Sequence, residues 1–159
     1  LTSAVYRLSK SDIVVGDSPP TARNFEKMLS YFWIAIGSAL GGMARYFCSG
    51  VAARTIGETF PYGTLIVNVV GSFIIGFFAT LTGPDGRVFI GSTARQFVMV
   101  GFCGGYTTFS SFSLQTLNLM NDREWLYAGA NITGSVVLCM LAVWAGHILA
   151  VSLNAMKWV

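Results

Sequence analysis

Four stretches of this chain carry no Asp, Glu, Lys or Arg: Met28 to Ala44 (17 residues), Thr59 to Pro84 (26), Gln96 to Asn121 (26) and Trp125 to Met156 (32, with only His147 titratable). A helix rises ~1.5 Å per residue, so about 20 residues cross the ~30 Å hydrocarbon core of a bilayer. All four stretches reach that length once the first is completed by Arg45 to Ala53. A surface built from them would not stay in water: 53% of the 159 residues are hydrophobic and 11% charged, against roughly 25% charged in an average soluble domain. A soluble enzyme, a nucleic-acid module and a disulfide-stapled secreted domain are set aside on this ground. The net charge of +3 comes from ten basic and seven acidic residues with no cluster of five like charges, so a nucleic-acid footprint is absent. Cys48, Cys103 and Cys139 fall in or beside these stretches without CxxC spacing or a His or Cys at ligand distance in sequence. They read as small apolar packing residues.

The expected fold is an all-α membrane protein with four transmembrane helices over residues 28–152, a polar extension before it (1–27) and a short C-terminal tail after it (153–159). The extension holds seven of the seventeen charges, its one apolar run is Ile13 to Val15, and Pro19-Pro20 blocks a helix there. It is read as disordered, or as a stretch added to the natural chain, which starts here with Leu rather than Met. It lacks the apolar core of roughly 7 to 15 residues that a signal peptide needs.

Within the spans the polar residues are aligned. The first span opens on Tyr31, Phe32 and Trp33, aromatics suited to an interface, and carries Gly37 and Gly41 at the spacing that admits a close helix neighbour. On the second, Thr64, Asn68 and Ser72 recur every fourth residue and share one face, which suggests a helix contact or a wet pathway. On the fourth, Tyr127, Asn131, Ser135 and Cys139 do the same. His147, near one end of that span, reads as an interfacial or packing residue rather than a proton relay. The third span holds Gly101-Phe102-Cys103-Gly104-Gly105-Tyr106-Thr107-Thr108-Phe109-Ser110-Ser111-Phe112-Ser113. Paired glycines followed by a cluster of Ser and Thr weaken a helix, Gly alone by about 1 kcal/mol against Ala. A third helix broken near mid-membrane is expected, where freed backbone groups line a cavity and hold ions.

Three of these stretches, Gly41-Gly42-Met43-Ala44-Arg45-Tyr46, Gly63 to Phe73 and Gly101 to Ser113, resemble the signature motifs of the Fluc (CrcB) fluoride channels. The resemblance covers Leu29 to about Ser152, and its third motif, GGxTTFSxFS, is the most specific. It implies a multi-pass protein of the bacterial inner membrane that assembles as an antiparallel dual-topology homodimer. Such a channel has two pores and a structural sodium ion at the dimer centre, is no enzyme, and lets fluoride leave passively, lowering its cytoplasmic level. Carried over, the pore phenylalanines are Phe109 and Phe112 and the pore asparagine is Asn68. The sodium ligands are the backbone carbonyls of Gly104 and Thr107. The polar track of the fourth helix is Tyr127 and Ser135, one turn either side of Asn131. Asn131 stands where a serine is common, and Gln115 where an acidic residue is common.

The chemistry of these residues agrees with that reading. Fluoride is small and tightly hydrated, so a narrow pore must replace its water with converging donors: the amide N–H of Asn68 and hydroxyls of Ser110, Ser113 or Ser135. Phenylalanine ring edges carry positive quadrupole potential and favour an anion without holding it as tightly as Lys would. Four spans place Arg87, Arg95, Lys157 and, if the chain starts near it, Lys27 on one side and Arg54, Arg123 and Arg45 on the other. With the extension set aside this near balance gives little preferred orientation, whereas counting Arg7, Lys10 and Arg23 makes it seven against three. The alternative is a small multidrug-type dual-topology exporter. That chemistry normally needs a membrane-embedded carboxylate, and no Asp or Glu lies within a span.

Overall fold

The computed structural model describes residues 20–156, with side chains from residue 24. Every regular element among them is helical. The order is α1 (Pro20–Ile56), α2 (Tyr62–Leu81), α3 (Ser92–Gln96), a π-helical segment (Phe97–Cys103), α4 (Gly104–Tyr106), α5 (Phe109–Asn121) and α6 (Trp125–Ala155). The expectation of a disordered stretch to residue 27 is met differently: α1 starts at Pro20, because a proline in the first turn lacks only an N–H that would have no partner there. Residues 1–19 and 157–159, which held most of the expected extension and tail, lie outside the described residues.

Chain reversals follow local chemistry. Gly57, at φ 102°, ends α1 and returns its N–H to the Ala53 carbonyl. Pro61 precedes α2, and the Thr82 hydroxyl closes its last turn on the Phe78 carbonyl at 2.7 Å. Of the tail expected over 153–159, residues 153–155 form the last turn of α6, and that turn is tethered. Arg87 donates to the Leu153 carbonyl at 3.0 Å and, from its backbone, to Asn154 Oδ1 at 3.1 Å, while Asn154 Nδ2 reaches the Thr80 carbonyl at 3.3 Å. The Thr80 hydroxyl lies 2.9 Å from the Gly76 carbonyl and 2.8 Å from His147 Nδ1, within hydrogen-bond reach of both. His147 thus pins α6 to α2.

Among the described residues, two helices, α2 and α6, are long and apolar enough to cross a membrane by length and composition. α1 is longer but diluted by Gly, Ser and charged residues, and the third stretch is divided between short elements, none of which is long enough by itself. Packing relies on backbone approach. A Cβ on Gly41 would strike the Phe102 carbonyl, one on Gly105 the Ser38 carbonyl at 2.5 Å, and one on Gly37 the Phe97 carbonyl at 2.6 Å. The glycine spacing of α1 therefore receives the backbone of the third stretch directly, as close-packed membrane helices do. α2 and α6 meet in the same way through Gly76 against Val143 and Gly146 against Phe73. Large apolar side chains face outward instead, Leu126 at 83% exposure and Trp144 at 62%.

Candidate functional site at the interrupted helix

Helical pitch stops after Tyr106. Thr107 (ψ 159°) and Thr108 (φ −153°, ψ 112°) are extended, and helix resumes at Phe109. Each end of the gap is stabilised by a specific residue. Thr107 folds its N–H and its hydroxyl back to the Cys103 carbonyl, both at 3.0 Å, finishing α4. Thr108 opens α5 as its N-cap, its Oγ1 accepting from the Ser111 N–H at 3.2 Å.

Between them stands Asn68 of α2. Its Oδ1 accepts from the Thr108 N–H at 2.7 Å and its Nδ2 donates to the Thr108 carbonyl at 3.0 Å, so one amide side chain mimics a backbone partner on both sides of a single residue. In an unbroken helix the Thr108 N–H would bind the Gly104 carbonyl; here that carbonyl is released, and Gly104 is exposed. The Thr107 carbonyl is also free of the helix and accepts from the Arg45 guanidinium of α1 at 3.3 Å. Carbonyl oxygens and the N–H groups of a fresh helix start thus emerge within a few residues of each other, a pairing able to meet a cation on one side and an anion on the other.

Beside the gap runs a groove of about 390 Å³, walled by α2, the third stretch and α6, and lined among others by Asn68, Ser72, Met99, Gly104, Thr107, Phe109, Phe112 and Ser135. Phe109 and Phe112 lie 5.2 Å apart between centroids, tilted by 48°. They are unequal: Phe109 is 76% exposed and Phe112 9%. The structure therefore brings together Asn68, both phenylalanines, Ser135 and the two carbonyl residues Gly104 and Thr107.

It does not bring in the other expected residues. Ser113 is exposed and returns its hydroxyl to the Phe109 carbonyl at 3.0 Å. Ser110, also exposed, sits 3.2 Å from Thr108 Oγ1 at the start of α5. Tyr127 stands at the far end of α6 against the Phe60 ring. Gln115 is partly covered and its Oε1 is buried without a hydrogen-bond partner. Thr108 and Arg45 hold the gap and were not singled out as site residues in the sequence, although both stand inside the quoted motifs. A Thr immediately before resumed apolar periodicity is an N-cap signal that could have found the first; for Arg45 the one signal is its place in the first motif, a lone charge within an otherwise apolar stretch.

Comparison with known proteins gives one consistent answer. Residues 32–147 match the family described as CrcB-like protein, Camphor Resistance (CrcB). Among curated proteins, a fluoride-specific ion channel FluC of Opitutus terrae is 63% identical over 82% of this chain and 98% of its own length. The proteins of the same name from Methylocella silvestris and Rhodospirillum rubrum are 60% and 58% identical over 81% and 79% of this chain, each across 98% of the relative. The matched region contains every residue of the interrupted helix, its clamp Asn68 and the whole groove, and the chain belongs to the CrcB family.

Proposed function

We propose that this protein is a fluoride-selective channel through which fluoride leaves the cell passively, lowering its cytoplasmic level. The observation that carries the proposal is the clamp of Asn68 on Thr108, because it holds the helix open where Phe109, Phe112 and Ser135 meet in one groove. Close relatives that bear the name fluoride-specific ion channel support the same reading.

The chemistry follows from what each group can offer a small anion. One Asn68 amide hydrogen is used on the Thr108 carbonyl, which leaves the second for the groove. Ser135 adds a hydroxyl, and the N-terminus of α5 adds backbone amides and the positive end of a helix dipole. The paired rings present edges that attract an anion and provide no charge to trap it. Affinity high enough to strip water yet low enough to release the ion is what conduction requires.

The working unit in this reading has four spans per chain, the third broken at Thr107–Thr108 near the membrane centre, and pairs two antiparallel copies. A single chain buries few side chains fully, Val67, Asn131 and Cys103 being the largest, so it has little interior for a pore, whereas exposed Phe109 would be enclosed by a partner. The released Gly104 carbonyl and the second lone pair of the Thr107 carbonyl, whose other acceptor site faces the Arg45 guanidinium, would hold a structural sodium ion, which would supply positive charge at the gap. The bacterial inner membrane is the proposed location.

The test is efflux from liposomes loaded with fluoride or chloride, with a C-terminal reporter on cells to read orientation. Fluoride should leave far faster than chloride, and the reporter should be found on both sides. Equal rates for the two anions would overturn the channel proposal, and a single orientation with full activity would overturn the antiparallel pair.

A further inference from the structure

Between α5 and α6, polar side chains outside the three motifs join in a single line that ends on the third motif at Phe112. The Thr116 hydroxyl donates to the Phe112 carbonyl at 2.8 Å, Asn131 Nδ2 donates to Thr116 Oγ1 at 2.8 Å, and the Ser135 hydroxyl donates to Asn131 Oδ1 at 3.4 Å. The directions are forced. A hydroxyl has one proton, and that of Thr116 is committed to a carbonyl that can only accept. Its oxygen must therefore accept from Asn131, which turns Nδ2 toward α5 and leaves Oδ1 for Ser135. Asn131 is 1% exposed, and Thr116 and Ser135 are 7% exposed each.

Both ends of this line reach the groove, since Phe112 and Ser135 line it while Thr116 and Asn131 do not. Its weakest link is at Ser135. A serine within a helix usually gives its hydroxyl to the carbonyl four residues back, as Ser113 does to Phe109 and Ser152 to Ile148, both at 3.0 Å. Four residues before Ser135 stands Asn131, whose side chain takes the proton instead, at 3.4 Å. An anion entering the groove has only that long bond to displace.

We propose that Asn131 and Thr116 are positioning residues for fluoride passage: they lock the Phe112 turn against α6 and hold the Ser135 hydroxyl on a loose internal acceptor from which a small, strongly accepting anion takes it. This rests on the fluoride-channel reading. Neither residue touches the ion.

The experiment measures fluoride efflux from liposomes over a range of internal fluoride, normalised to folded protein, together with melting temperature, for Thr116→Val, Thr116→Ser, Asn131→Leu and the double variant Thr116→Val/Asn131→Leu. Thr116→Val and Asn131→Leu should each slow efflux about tenfold and raise the half-saturating fluoride concentration. Thr116→Ser, which keeps the hydroxyl, should stay near the parent rate. The double variant leaves no orphaned polar group from this pair, so it should fold best and be no slower than the slower single, because the line is broken only once. Parent rates and half-saturation in both singles, with only the melting temperature lowered, would overturn the proposal, as would losses that multiply in the double. If the parent protein itself passes no fluoride, the channel reading fails first and this inference fails with it.

Discussion

Removing the Asn68 side chain tests how the gap in the third stretch is maintained. In Asn68→Ala the Thr108 N–H and carbonyl lose their partners at 2.7 and 3.0 Å, while Thr108 remains 7% exposed. Leaving one buried backbone group unsatisfied costs about 1–3 kcal/mol, so keeping the gap open in the variant costs roughly 2–6 kcal/mol. That is a large part of the 5–15 kcal/mol or so that holds an ordinary domain together. The chain has one escape, which is to return the Thr108 N–H to the Gly104 carbonyl and heal the helix. Extended residues advance about 3.3 Å each and helical ones about 1.5 Å, so healing two residues draws α5 in by roughly 3.6 Å and turns Phe109 and Phe112 out of register with Ser135. Either outcome should abolish most fluoride efflux. The assay is efflux per folded protein alongside thermal unfolding in detergent, with Asn68→Asp as companion. The carboxylate still accepts from the Thr108 N–H but opposes the Thr108 carbonyl, so it should fail too. Parent efflux together with an unchanged melting temperature in Asn68→Ala would refute the clamp.

Phe109→Ile and Phe112→Ile should both slow fluoride efflux, since isoleucine keeps apolar bulk and offers no ring edge; only the Phe112 variant should also melt earlier, by the ~1 kcal/mol typical of a buried shape change, because Phe109 is 76% exposed. Unchanged efflux in both would return the pair to simple packing. Gly41→Ala should destabilise by about 1–3 kcal/mol, as its Cβ meets the Phe102 carbonyl and the Tyr106 amide, whereas Gly42→Ala, with nothing within 4 Å, should be neutral. Equal melting of the two variants would refute the account of how α1 receives the third stretch.

The uncharged stretches make helices of membrane-spanning apolarity legible, and the Gly and Ser/Thr cluster marks where the third one is weak. Composition misplaces that weakness slightly: the backbone stays helical through Gly104 and Gly105, the second of which is needed small by α1, and leaves it only at Thr107–Thr108, where Asn68 supplies the competing bonds. Such a clamp depends on the register between helices some 40 residues apart, which no local pattern encodes. The same holds for the bond from Asn131 to Thr116: Asn131 stands out on the aligned polar face of the fourth stretch, but nothing local ties it to Thr116. Phe109 and Phe112, three residues apart, do touch, but their unequal exposure depends on tertiary packing that their spacing does not encode. Ser113 was a sound donor by type and is unavailable by geometry, since its proton already serves its own helix.

The π-helical segment Phe97–Cys103 has a consequence for how this chain tolerates changes of length. Such a segment carries its hydrogen bonds one residue further along than an α-helix, and so accommodates a surplus residue while its two flanks keep their facing. Loss of one residue there, most readily outward-facing Val100, lets the ladder tighten to ordinary pitch with Arg95 and Gly105 still pointing as they do. The same loss inside α2 has no slack to draw on and swings everything beyond it by about 100°, separating Asn68 from Ser72, Gly76 and Thr80 as one aligned face. A one-residue deletion is thus survivable in this segment, and the segment itself, through Met99 and Cys103, forms part of the groove wall.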